Sequence, residues 1–101
     1  MAVILGLSTY LKAEELPVKM VLENRESEYI QLYLDGVTSG LMAANSKACL
    51  FEMPSKLKMT WEIGYSAAEL FAETYPDFNT EEFFPSSVAV LTGLSIMFPC
   101  N

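Results

Sequence analysis

The side chains that could do chemistry in this chain are mostly carboxylates. Thirteen Asp and Glu stand against six Lys and Arg, giving a formal charge of −7, and the 101 residues contain no histidine. Without an imidazole there is no Ser-His or Cys-His dyad, no histidine-bearing zinc site, and no side chain that ordinarily titrates between pH 5 and 8. The pairs Glu14-Glu15 and Glu81-Glu82 are adjacent in sequence, so neither pair shares a helix face. Glu69 and Glu73 do share one, but no His, Lys or metal ligand completes an acid–base site, and an exposed helix face is the better reading. No phosphate-binding glycine loop is present either. The expectation is a binder and not an enzyme, with no catalytic residue, no metal and no cofactor. The negative charge also argues against nucleic acid and against an anionic membrane as partner, since both need a positive surface.

Cys49 and Cys100 are the other reactive groups. They form no Cys-x-x-Cys motif, and two thiolates without histidine make a poor zinc site. An exported chain would pair them, whereas a cytosolic one would keep two buried thiols. Residues 1–13, MAVILGLSTYLKA, have the shape of the end of a secretory signal: an apolar run from Val3 to Leu7, then Leu11, and Ala13 before the acidic Glu14-Glu15. No basic residue precedes the run, and the alternative is that residues 2–11 form a buried strand or helix of the domain. The run is shorter than the roughly 20 apolar residues that span a bilayer. The expected organisation is a signal over 1–13 and one helical domain over 14–101.

The elements that must position these groups follow from apolar spacing. Pro17 to Glu23 shows no decisive period and reads as short extended or irregular chain. From Ser27, the residues Ile30, Leu34, Val37, Leu41 and Ala44 recur at steps of three and four, the stripe of an amphipathic helix. Gly36 and Gly40 inside it cost about 1 kcal/mol each relative to alanine, so they are expected to admit a close neighbour. Asn45-Ser46-Lys47 closes that helix. Ser55 is a candidate N-cap for a second helix reaching Tyr75, with Leu57, Trp61, Ile63, Gly64, Ala67, Ala68 and Phe71 on its apolar face. Pro76-Asp77 ends it, and Asn79-Thr80-Glu81-Glu82 has the capping-box pattern of a further short turn. Pro85 suits the first turn of a last helix in which Val88, Leu91, Leu94, Ser95 and Phe98 mark one face, and Pro99 stops it. Three main helices plus short turns, joined by short linkers, predict an all-α fold, a small antiparallel helical bundle. An up-down-up course brings Cys49, after the first helix, and Cys100, after the third, to the same side for one disulfide.

The order of these landmarks resembles the Rap/Tai-type immunity proteins, small periplasmic helical domains that protect bacteria from type VI secretion effectors, chiefly peptidoglycan amidases. Tyr33-Leu34-Asp35-Gly36-Val37 with Gly40 resembles the family's tyrosine- and glycine-bearing helix. Cys49 followed by Pro54, the helix end Leu70 to Pro76, and the closing Leu94, Phe98, Pro99 and Cys100 extend the likeness over about residues 27–100. Gly93 departs from it, standing where the family has alanine, and Cys49 to Pro54 is wider than the compact Cys-x-Pro form. The resemblance implies periplasmic localisation, a Cys49–Cys100 disulfide, and inhibition of a cell-wall amidase effector. It also implies a homodimer, which a core limited by size would favour. The candidate contact is the turn carrying Asp77, Phe78, Asn79, Glu81 and Glu82, with Phe78 as an apolar anchor. The alternative function on the same scaffold is a periplasmic acid-stress chaperone using its six methionines and twelve per cent aromatic residues as an adaptable apolar surface. Closing a loop of about 50 residues with a disulfide is worth roughly 4 kcal/mol. Cys49→Ser is therefore expected to melt well below wild type in oxidising buffer and together with it under reductant; equal melting temperatures in oxidising buffer would remove the bridge from the account.

Overall fold

Ser27 opens the first long helix. Its backbone is extended and its Oγ accepts the Ile30 N–H at 3.4 Å, satisfying one of the free donors at the helix start. In the computed structural model, which describes residues 16–45, 48–53, 59–79 and 84–100, the elements are α1 (Val18–Glu23), α2 (Glu28–Ala44), α3 (Thr60–Thr74), α4 (Pro76–Asn79) and α5 (Ser86–Met97). The protein is all-α, with α2, α3 and α5 as the main helices. The expected signal and the start of the domain, residues 1–15, lie outside the described residues.

α3 is the centre. Ile63, Gly64, Tyr65, Ala67, Ala68, Phe71 and Ala72 are all buried along it, and it packs against α1, α2, α4 and α5. Four of these, Gly64, Ala67, Ala68 and Ala72, are small, so neighbouring helices approach its backbone closely there. A Cβ added at Gly93 of α5 would collide with the carbonyl of Ala67 and lie 2.7 Å from the Ala67 Cα. One at Gly64 would strike Thr38 Oγ1 of α2. Ala67 faces Gly93, and Phe71, further along α3, stacks on Phe84 at 5.0 Å just before α5. Advancing along α3 therefore means retreating along α5, and the two run antiparallel.

Two ties close the bundle. At one end Leu16-Pro17-Val18 pairs with Phe84-Pro85-Ser86: the Val18 N–H donates to the Phe84 carbonyl and the Ser86 N–H to that of Leu16, both at 2.9 Å. Pro17 and Pro85 face each other between these bonds, where an antiparallel pair needs no donor and proline loses nothing. The Tyr33 hydroxyl joins this junction, sharing a 2.6 Å bond with the buried Ser86 Oγ and accepting the Leu16 N–H at 3.3 Å. At the other end the buried Asn45 side chain accepts the N–H groups of Leu50 and Phe51 at 2.6 and 3.1 Å and donates to the Phe51 carbonyl at 2.6 Å. That turn seats Phe51, wholly buried, and is fastened to α5 by Ser95 Oγ on the Leu50 carbonyl and by the Glu52 N–H on that of Phe98. Cys49 and Cys100 are disulfide-bonded there with Cα atoms 6.2 Å apart.

Five details differ from the sequence reading. Pro17 to Glu23 is not irregular: from Val18 it is helical, because Val18 and Val21, one turn apart, both fill the core. α3 starts at Thr60 behind an extended Met59, whose N–H is accepted by Glu62 at 3.3 Å; Ser55 and Leu57 lie outside the described residues. Pro85 stands one position ahead of α5 as its N-cap and not in its first turn. The buried face of α5 is Ser86, Ala89, Val90, Gly93 and Leu94, while Val88 is exposed. That helix is apolar nearly all round, so the close approach at Gly93 and not an apolar stripe distinguishes the face that meets α3. Finally, Gly36 and Gly40 admit no close neighbour: both are exposed, with nothing within 4 Å of a Cβ at either. The close approaches are at Gly64 and Gly93.

These two kinds of glycine respond oppositely to alanine. Gly36→Ala is expected to stabilise by about 0.5–1 kcal/mol through helix propensity. Gly93→Ala is expected to destabilise by roughly 3 kcal/mol, since the obstacle is backbone and α5 must shift. Urea unfolding of both variants checks this, and a Gly93→Ala protein as stable as wild type would disprove the contact.

Candidate partner-binding surface

Burying one side of α3 fixes what its other side shows. With residues 63, 64, 67, 68, 71 and 72 turned inward, steps of four, three and four leave Glu62, Ser66, Glu69 and Glu73 toward solvent. At 1.5 Å per residue, Glu62 to Glu73 spans about 16 Å. The pair Glu69 and Glu73 shares the expected face and both are exposed. Beyond Tyr75, whose N–H still bonds to the Phe71 carbonyl at 2.8 Å, the chain turns into α4 and places Asp77, also exposed, after the row. Neither α3 nor α4 contains a Lys or Arg. A rigid helix thus presents carboxylates at fixed spacing, and several like charges along one element reinforce one another's field.

Of the residues expected to make the partner contact, Asp77, Phe78 and Asn79 form α4. The side chains of Phe78 and Asn79, and all of Glu81 and Glu82, lie outside the described residues. Cys49 and Cys100 form the disulfide.

The N-terminal end of the row carries a group that sequence reasoning passed over. Arg25, the chain's one arginine, lies over the Trp61 ring at 5.0 Å and the Tyr65 ring at 5.3 Å, within 3.4 Å of Glu26 and 3.9 Å of Glu62. Its stacking on two rings is worth about 0.5–1 kcal/mol per contact at a half-exposed site, and the two ion pairs add little. A single guanidinium in an acidic chain that also has a single tryptophan was the available signal. Beneath it, the Tyr65 hydroxyl donates to the Leu22 carbonyl at 2.8 Å and ties α3 to α1. Burial of the phenol, and next the charge of Glu69, hold its ionisation above the usual tyrosine value, against the opposing pull of Arg25.

Among the described residues no group of three or more His, Cys, Asp or Glu could hold a metal ion, and no helix is long and apolar enough to cross a membrane. No protein-family model, no curated protein and no solved structure matches the chain.

Because the folded protein holds the Tyr65 proton more tightly than the unfolded chain, that stabilisation is complete below about pH 10 and is lost as pH rises through the folded value. Tyr65→Phe is expected to lower stability at pH 7 by about 1 kcal/mol, the worth of the lost bond, and to decline less steeply than wild type between pH 10 and 11. Denaturant unfolding at both pH values decides it; parallel declines would exclude Tyr65 as the linked group.

Proposed function

We propose that this protein is a periplasmic immunity protein that binds and inhibits a peptidoglycan amidase delivered by type VI secretion. The observation that carries the reading is the pair of exposed carboxylates Glu69 and Glu73 on one face of α3, continued by the exposed Asp77. An amidase acting on an acidic polymer is expected to have a basic cleft, and a complementary row of carboxylates speeds encounter more than it adds affinity. The Cys49–Cys100 disulfide supports an oxidising compartment such as the periplasm, and a removable signal over residues 1–13 would deliver the chain there. The resemblance in Tyr33, Cys49, Leu94, Phe98, Pro99 and Cys100 supplies the effector class.

A second reading, a chaperone for acid-unfolded clients, is favoured by a different observation: Met20, Met53 and Met59 are exposed, and flexible thioethers suit varied apolar clients. The two readings differ in stoichiometry, since an inhibitor takes one folded enzyme and a chaperone many unfolded chains.

Surface-immobilised type VI amidases and the product of the neighbouring gene are the test panel. Tight one-to-one binding with loss of hydrolysis is the expected result. Glu69→Lys combined with Glu73→Lys should then slow association about tenfold at low salt and flatten its dependence on ionic strength. Absence of binding to any amidase, together with suppression of client aggregation at low pH, would replace the immunity reading by the chaperone.

A further inference from the structure

The turn between α1 and α2 sets a planar cation on the flank of α3. The Arg25 guanidinium lies 5.0 Å from the Trp61 ring centre and 5.3 Å from that of Tyr65, rings one turn apart on the helix. Trp61 is half-buried, and the arginine side chain is 44% exposed. Stacking fixes the guanidinium without using its donors. Among the described residues it makes one hydrogen bond, to Glu26 at 3.4 Å, while Glu62 at 3.9 Å lies beyond bonding reach. A flat fork with spare N–H groups is thus held beside the chain's one tryptophan, open to solvent along part of its edge.

Charge alone does not account for its position. Glu69 and Glu73 stand about 12 and 18 Å along α3 from Trp61, and the exposed Asp77 follows, so the guanidinium borders the surface that would draw a basic enzyme. A positive group there weakens that attraction. Glu26 and Glu62 offset it, leaving the cluster net negative and the approach of a basic protein unhindered. What the cluster adds to the face is rigid, flat contact area and directed donors, from the side-chain types on which interface energy concentrates.

We propose, resting on the amidase-inhibitor reading, that the Trp61–Arg25 stack is the contact that holds the amidase once the carboxylates have drawn it in. The Arg25 fork donates to main-chain carbonyl oxygens of the enzyme, and an apolar side chain of the enzyme packs against Trp61. Carbonyls suit the position better than carboxylates, which Glu26 and Glu62 would repel. Because the rings already restrict the arginine, docking costs it little rotamer freedom. Approach and residence are therefore divided between two parts of one surface. Glu69, Glu73 and Asp77 govern the association rate, and Trp61 with Arg25 governs dissociation.

Arg25→Ala separates the stack from simple electrostatics by sign. It makes the chain more acidic, so charge alone predicts equal or tighter binding to a basic enzyme. The stack predicts association at least as fast as wild type but dissociation faster by about tenfold or more. Surface-immobilised amidases that capture the oxidised wild-type chain are the probe. Trp61→Ala should likewise raise the dissociation rate by about tenfold or more, and Arg25→Lys, which keeps the charge but not the planar fork, should not restore slow dissociation. These losses should persist at about 0.5 M salt, where the effect of Glu69→Lys with Glu73→Lys on association fades. Thermal melts verify folding, and should Trp61→Ala not fold, the two variants of the exposed Arg25 decide alone. A folded Arg25→Ala or Trp61→Ala chain that dissociates no faster than wild type, or an Arg25→Lys chain that dissociates as slowly, would overturn the stack as anchor and leave the amidase reading in place. A wild-type chain that binds no amidase would overturn both.

Discussion

At Ala67 the backbone of α3 runs so close to α5 that position 93 has no room for a side chain. The rest of the bundle depends on this contact. Gly64, Ala67, Ala68 and Ala72 make α3 thin enough to lie between α2 and α5, and short helix separation multiplies dispersion contacts that are individually about 0.1–0.2 kcal/mol. Glycine weakens the helices locally by about 1 kcal/mol at each position, and the close approach at Gly64 and Gly93 offsets that loss by bringing the helices into contact. Thr38 shows how tight the fit is. Its Oγ1 is wholly buried against Gly64 and finds no hydrogen-bond partner among the described residues, a desolvation cost of about 1–3 kcal/mol borne for the close crossing of α2 on α3.

Because the centre is fastened by contact alone, direction has to be fixed at the ends. The Leu16–Val18 and Phe84–Ser86 pairing, locked by Tyr33, sets where α1 and α5 begin. The Asn45 turn, the seated Phe51 and the disulfide set where α2 and α5 finish. The disulfide thus joins segments that hydrogen bonds already hold together. Its contribution falls mainly on the unfolded chain, whose loop it closes across a separation of 51 residues, and less on the arrangement of the folded one.

The spacing of Ile30 and Leu34 revealed α2, the proline and capping signals bracketed α5, and the cysteine positions foretold the bridge, because each of these reports a local period or a single constraint. What stayed hidden was relational. The face of α5 could not be read, since a helix apolar on nearly every side has no stripe to follow. The roles of the glycines were exchanged for the same reason: propensity says that a helical glycine is costly, but only the neighbour's position says whether the space is used. The helix of Val18 and Val21 is six residues long, below the length at which local signals stabilise a helix, and it forms because the α5 junction and the core hold it. Gly93 is instructive here, for the resemblance has alanine at that position, yet a methyl group there would meet the Ala67 carbonyl.

The residues that carry the resemblance are occupied in holding the fold: Tyr33 locks the junction, and Cys49 and Cys100 close the bridge. A side chain already committed to such bonds has little left to offer a partner, so recognition has to fall on surfaces that packing leaves free. Two such surfaces differ in kind. The α3 row is charged and acts at a distance, within a Debye length of about 8 Å at physiological salt. The Trp61–Arg25 stack acts only on contact, where its flat rings and fixed donors need a matching surface. A row of carboxylates attracts cationic surfaces and repels anionic ones, so the first surface discriminates by charge and the second only by shape.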